Sequence, residues 1–178
     1  MRTSTAPAVL LALALAACGP DTSTGPRPPS APALAPGGGG GTASRRATEL
    51  PFRGTLDAHE TGQFQPATNT VLLHLVGTGT ATHLGRYTLV ADFTLTPATG
   101  TAVGSMTLTA ANGDVLSATF TGQGVPTGGI SAIVETATIT GGTGRFAGVT
   151  GSFVLERTLT RTTGVSFGSF EGTLSLDR

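Results

Sequence analysis

The chain has 178 residues, among them 27 Gly, 11 Pro, 8 Phe, one Tyr, one Cys and no Trp, and its ten basic residues, all Arg, balance ten acidic ones. Without Lys there is neither a Walker A phosphate loop nor a Schiff-base enzyme, and one Cys builds neither a zinc ribbon nor a disulfide scaffold. A neutral chain with 11% charged residues also lacks the basic excess of a nucleic-acid binder, so no nucleic-acid partner is expected.

In chain order, Arg2 precedes an apolar run from Ala8 to Ala17 that ends in Leu15-Ala16-Ala17-Cys18. Ten apolar residues are about half of what a bilayer-crossing helix needs, so residues 1–17 read as a signal peptide. Leu15-Ala16-Ala17-Cys18 resembles the bacterial lipobox. That resemblance implies cleavage before Cys18, lipidation of its sulfur, and an exported lipoprotein held to the cell envelope by its N-terminal lipid. Gly19 rather than Asp follows the Cys, unlike the inner-membrane retention signal of enteric lipoproteins, which points to the outer membrane where the source has one. The alternative is an ordinary secretory peptide cut nearby, with Cys18 incidental. Residues 18–47 are rich in Pro, Gly, Ser and Thr and nearly free of apolar side chains, the composition of a disordered, flexible tether.

The texture changes at Thr48. Residues 48–178 hold all eight Phe, 28 Thr and only four Pro, enough chain for one core and one domain. Strand signals are expected over 50–58, 70–82, 86–96, 101–110, 114–124, 131–140, 151–161 and 165–177, with no sustained helical period between them. Gly or Asn occupies the intervening turns, as in Thr99-Gly100, Asn112-Gly113 and Thr163-Gly164. Connections this short force antiparallel neighbours, and eight strands without a covering helix escape the problem of exposed edges by closing. The expected fold is all-β, an eight-stranded antiparallel up-and-down β-barrel.

Alternation assigns its inside. Tyr87, Leu89, Ala91, Phe93 and Leu95 share one face, as do Met106 with Leu108 and Leu116 with Phe120, while Thr lines the opposite face. The first and last strands repeat a phrase, Phe52-Arg53-Gly54-Thr55-Leu56 and Phe170-Glu171-Gly172-Thr173-Leu174. These are expected to pair where the barrel closes, with Arg53 and Glu171 as partners on the outside. The run Val71-Leu72-Leu73 with Leu75 and Val76 is apolar on both faces, as a covered strand or a subunit contact would be.

The segment Gly141-Gly142-Thr143-Gly144-Arg145-Phe146, followed by Gly151, resembles the GGTGxF turn of allene oxide cyclases and plant dirigent proteins. That resemblance implies an eight-stranded barrel of calycin-like shape with an apolar cavity, trimeric assembly, and, from the first family, a cyclase or isomerase acting on a hydrophobic substrate. The phrase from Gly77 to Arg86 is also similar to one in bacterial secreted domains of this barrel type. Between Phe146 and Gly151 this chain has Ala147 to Thr150 where dirigent proteins usually carry Arg, and no catalytic residue of either plant family matches a position here. Physically, the Gly-rich stretch is a broad turn whose Phe146 plugs one barrel end.

Alternation also turns a few polar residues inward. Glu135 lies in phase with Ile133 and Ala137, and Arg157 with Phe153 and Leu155, so the two are expected to pair inside the barrel, since neither charge is affordable alone. His83 falls in phase with Gly77, Gly79 and Ala81, near the lone Tyr87. His83, Tyr87, Glu135 and Arg157 together are the candidate lining of one polar end of an apolar cavity, suited to a small apolar ligand. The competing reading is that they satisfy one another and fill the lumen. Asp57, His59 and Glu60 match no familiar metal-site spacing, so no metal and no cofactor are expected. Absence of a G-x-S-x-G motif and of paired carboxylates in one motif leaves hydrolase readings without support. Three functions remain: a ligand-binding envelope lipoprotein, a filled structural or interaction domain of the envelope, and the cyclase or isomerase of the family resemblance.

Overall fold

A computed structural model describes residues 48–176. The signal peptide, Cys18 and the tether expected over residues 1–47 lie outside the described residues. The elements are β1 (Thr48–Gln65), β2 (Thr70–Ala81), β3 (Gly85–Thr96), β4 (Thr101–Ala110), β5 (Val115–Thr127), β6 (Ile130–Gly142), one 3-10 turn (Gly144–Phe146), β7 (Thr150–Thr160) and β8 (Val165–Leu176). Each strand pairs antiparallel with the next, and β8 pairs with β1, so the sheet closes in up-and-down order as the alternation and turn lengths require.

The repeated phrase forms the seam. Phe52 lies opposite Gly172, Gly54 opposite Phe170, and Arg53 opposite Glu171. Each Phe thus faces the other strand's Gly, and a Cβ on Gly54 would run into the Phe170 ring. Phe52 and Phe170 pack with centroids 4.9 Å apart and Phe153 joins them, giving an aromatic cluster just inside the closure. Outside, Arg53 Nη2 meets Glu171 Oε1 at 2.7 Å, with both side chains exposed. Threonine does coat the outer face, with cross-strand neighbours such as Thr88 and Thr109 or Thr121 and Thr136.

The two ends of the barrel differ. At the end where β1 starts and β8 finishes, Leu84, Phe146 and Val149 are buried and close the lumen. Arg145 ties the three connections there together: Nη2 donates to the Leu84 carbonyl at 3.2 Å, and Nε lies 3.5 Å from Asp114. Gly144 has φ of +58°, and a Cβ there would strike the Asp114 carboxylate, so this turn needs glycine. Phe146 does plug this end. Thr48 is paired with Leu176, so both ends of the described chain emerge at the closed end. The opposite end, ringed by the connections after β1, β3, β5 and β7, is open.

Two expectations are corrected. β1 runs seven residues past the expected position 58, because it stays paired with β2 through Gln65 even where Thr61, Gly62 and Gln63 replace apolar residues. Of the two readings of the doubly apolar β2, the covered strand is corrected, since the described residues leave its outer side bare: Leu75 is buried, but Leu72 and Val76 face outward, with Val90 and Val103 exposed on β3 and β4.

Candidate functional site

The polar centre of the barrel is built from four contiguous strands. Arg157 on β7, Glu135 on β6, Glu60 on β1 and Ser166 on β8 all point inward, on the open side of the aromatic cluster. Arg157 Nε donates to both Glu135 oxygens at 3.3 Å and Nη2 donates to Oε1 at 3.0 Å. Nη1 donates to Glu60 Oε2 at 2.8 Å and to Ser166 Oγ at 3.4 Å. All three guanidinium nitrogens are therefore engaged, and the Arg157 side chain is only 1% exposed. Burial on its own would pull the guanidinium pKa down; the charges and hydrogen bonds of Glu135 and Glu60 outweigh that and hold it above its ordinary value.

The Glu135 and Arg157 pair read from alternation is thus present. Its register is shifted slightly, since Glu135 lies opposite Leu155 and reaches Arg157 diagonally. Glu60 was missed as a partner. The signal was available: Phe52, Gly54, Leu56, Ala58 and Glu60 share one parity, and continuing β1 by one inward step finds it. With Glu60 turned inward and Asp57 and His59 exposed on the outer face, the three acidic and imidazole groups considered for a metal point apart. Among the described residues no three His, Cys, Asp or Glu side chains are grouped to hold a metal ion.

His83 and Tyr87 lie elsewhere. The Thr82 hydroxyl donates to the Pro51 carbonyl at 3.0 Å and accepts from the Arg53 N–H at 3.0 Å. That capture ends β2 at Ala81 and starts the turn before His83, which takes φ of +65° and projects into solvent at the closed end. Tyr87 is buried as expected, but toward the closed end, where its ring meets Phe170 edge-on and its hydroxyl donates to the Thr55 carbonyl at 2.8 Å. Burial raises its phenol pKa well above the ordinary value. The four candidates therefore divide: Glu135 and Arg157 stay together, joined by Glu60 and Ser166, while Tyr87 and His83 belong to the far half.

Above the polar cluster, a cavity of about 410 Å³ opens to solvent through the mouth. One wall is the charged group Glu60, Glu135 and Arg157; the facing wall is Leu73, Phe93, Leu95, Ala102, Gly122 and Gly124 on β2 to β5. The connection Pro97 to Gly100 and Arg161 form its rim. Below it, between Leu56, Met106, Phe120 and Leu155, only about 10 Å³ of space remains, room for one water at most. The lumen is thus filled through its middle and closed half, and hollow at the mouth. Chemically the hollow offers an apolar surface on one side and carboxylate oxygens on the other, with the guanidinium already spent.

No protein-family model and no curated protein matches the chain. Among solved structures it is similar to a pterocarpan synthase dirigent protein, with a TM-score of 0.55 and 13% sequence identity over 74% of this chain and 93% of that one. Identity that low speaks to fold alone. Strand order, closure and this likeness agree: the described part of the chain is a dirigent-like β-barrel.

Proposed function

We propose that the barrel binds a small, largely apolar molecule in its open mouth, and that the chain is an exported envelope lipoprotein tethered through Cys18. The carrying observation is the 410 Å³ hollow, which falls within the size range of small-molecule pockets and has one apolar wall facing a few fixed polar groups. Gly124 supplies the test. A Cβ there meets nothing closer than 3.7 Å, so a side chain can leave the strand at this position toward the hollow it lines, and Gly124→Leu is the substitution that occupies it. Full-length protein is expected to bind a neutral fluorescent naphthylamine, and Gly124→Leu to lose about tenfold or more in affinity with an unchanged melting temperature. Equal binding by both proteins refutes the mouth as the site.

Support for the tether comes from Leu15-Ala16-Ala17-Cys18 and the Pro- and Gly-rich stretch after it. Cys18→Ser is expected to move the protein from the membrane to the soluble fraction. Self-association belongs to the same proposal. Leu72, Val76, Val90 and Val103 are exposed apolar residues around the exposed His74–Asp92 pair on one outer surface, and Val76→Arg is expected to shift the sedimentation coefficient toward a monomer.

A further inference from the structure

We infer that the mouth selects a ligand bearing a protonated amine on an apolar body; this rests on the mouth being a ligand site. The charged side chains lining it are Glu60, Glu135, Arg157 and, on the exposed rim, Arg161. Inside the barrel two carboxylates share one guanidinium, leaving the buried group one positive charge short. Arg157 is surrounded: its nitrogens are taken up by Glu135, Glu60 and Ser166, so it presents nothing to an anion entering from the mouth. Glu60 is different. Its Oε2 accepts from Arg157, but its Oε1 accepts no hydrogen bond among the described residues. Because no fully buried side-chain polar atom lacks a partner among the described residues, Oε1 retains access to the cavity that Glu60 lines.

A cationic donor at that oxygen restores neutrality to the group, and charge-assisted hydrogen bonds to carboxylate are about twice as strong as neutral ones. The body of such a ligand lies against Leu73, Phe93 and Leu95 on the facing wall. An anion of the same shape meets Glu60 and Glu135 with no free guanidinium to receive it. Arg161 offers it only an exposed charge at the rim, which salt screens.

The test uses three ligands of one shape and different charge, naphthylmethylamine, naphthylmethanol and naphthoate, titrated calorimetrically into full-length protein at pH 7. The amine is expected to bind about tenfold or more tightly than the alcohol, and the naphthoate most weakly. Glu60→Gln is expected to lower the affinity for the amine to about that for the alcohol, so that the preference between the two is lost. Alcohol or naphthoate binding as tightly as the amine overturns the charge selection but leaves the pocket standing, provided Gly124→Leu abolishes that binding. An amine preference that survives Glu60→Gln in a folded variant overturns it as well. If Glu60→Gln does not fold, the ranking of the three ligands on the unaltered protein decides. Failure of all three to bind, or binding that ignores Gly124→Leu, removes the pocket itself and the inference with it.

Discussion

Arg157 is the residue on which the barrel's interior depends most, because it neutralises two carboxylates that have no other ion-pair partner among the described residues. Arg157→Met is expected to cost about 3–5 kcal/mol, the penalty for leaving buried charge uncompensated, seen as a lower denaturant midpoint. Glu135→Gln costs less, since Glu60 still holds the guanidinium, and the double variant costs less than the sum of the two. The exposed Arg53 and Glu171 pair is a useful contrast, contributing at most about 1 kcal/mol. Tyr87 gives a second test at this scale. A phenol whose folded pKa lies above its unfolded value keeps its full stabilising effect below pH 10 and loses it as pH rises toward the folded value. With no Lys in the chain and Cys18 outside the barrel, Tyr87 is the one side chain of the described domain that ordinarily ionises near pH 10. Denaturant midpoints are therefore expected to fall between pH 9.5 and 11.5 in the native protein and to stay flatter in Tyr87→Phe, while ultraviolet titration of the folded protein shows phenolate appearing only above the ordinary range.

At the scale of elements, the strands were legible because Thr and apolar residues alternate so regularly that inside and outside separate by parity alone. Where parity persisted, so did the reading: Glu135 and Arg157 were placed correctly, and the paired Phe-x-Gly phrases located the seam. Where a local hydrogen bond broke the parity, it failed. Thr82 is seized by the backbone of β1, and His83 leaves the lumen for solvent, an effect with no signature in alternation. Glu60 was lost for the opposite reason. Parity ran on past Ala58, the last buried apolar residue of β1, held by β2 pairing that a single strand's composition does not reveal. The mouth was beyond reach too, since it depends on how far Phe93, Ala102 and Gly122 fill a common volume. The plug yields a prediction of its own: Phe146→Ala removes a ring that is 1% exposed and is expected to cost about 3–5 kcal/mol, measured by chemical denaturation. Loosening of the turn on Arg145 and Asp114 follows, detectable as faster amide exchange at Asn112 to Val115.

On the scale of the whole molecule, the barrel is asymmetric along its axis, dry and aromatic in one half, charged and then hollow in the other. Rigidity and binding are thereby separated, because Phe52, Phe153 and Phe170 hold the closure without contributing to the mouth. Substitutions among those rings are felt as stability, and substitutions at Leu73 or Gly124 as affinity. The position of the described chain ends has a practical corollary. Thr48 and Leu176 lie opposite each other on adjoining strands at the sealed end, so the barrel has no topological need of its break there. A circular permutant that joins residue 176 to residue 48 through a short linker and opens the chain between Asn112 and Gly113, a turn on the same end, is expected to fold with the ligand preferences of the parent. Opening it instead between Ala98 and Thr99 cuts the rim, and binding is expected to fall while the fold survives. By the same geometry, a barrel immobilised directly at residue 48 or residue 176 presents its mouth to solution, so a sensor or affinity resin made this way keeps the binding end free.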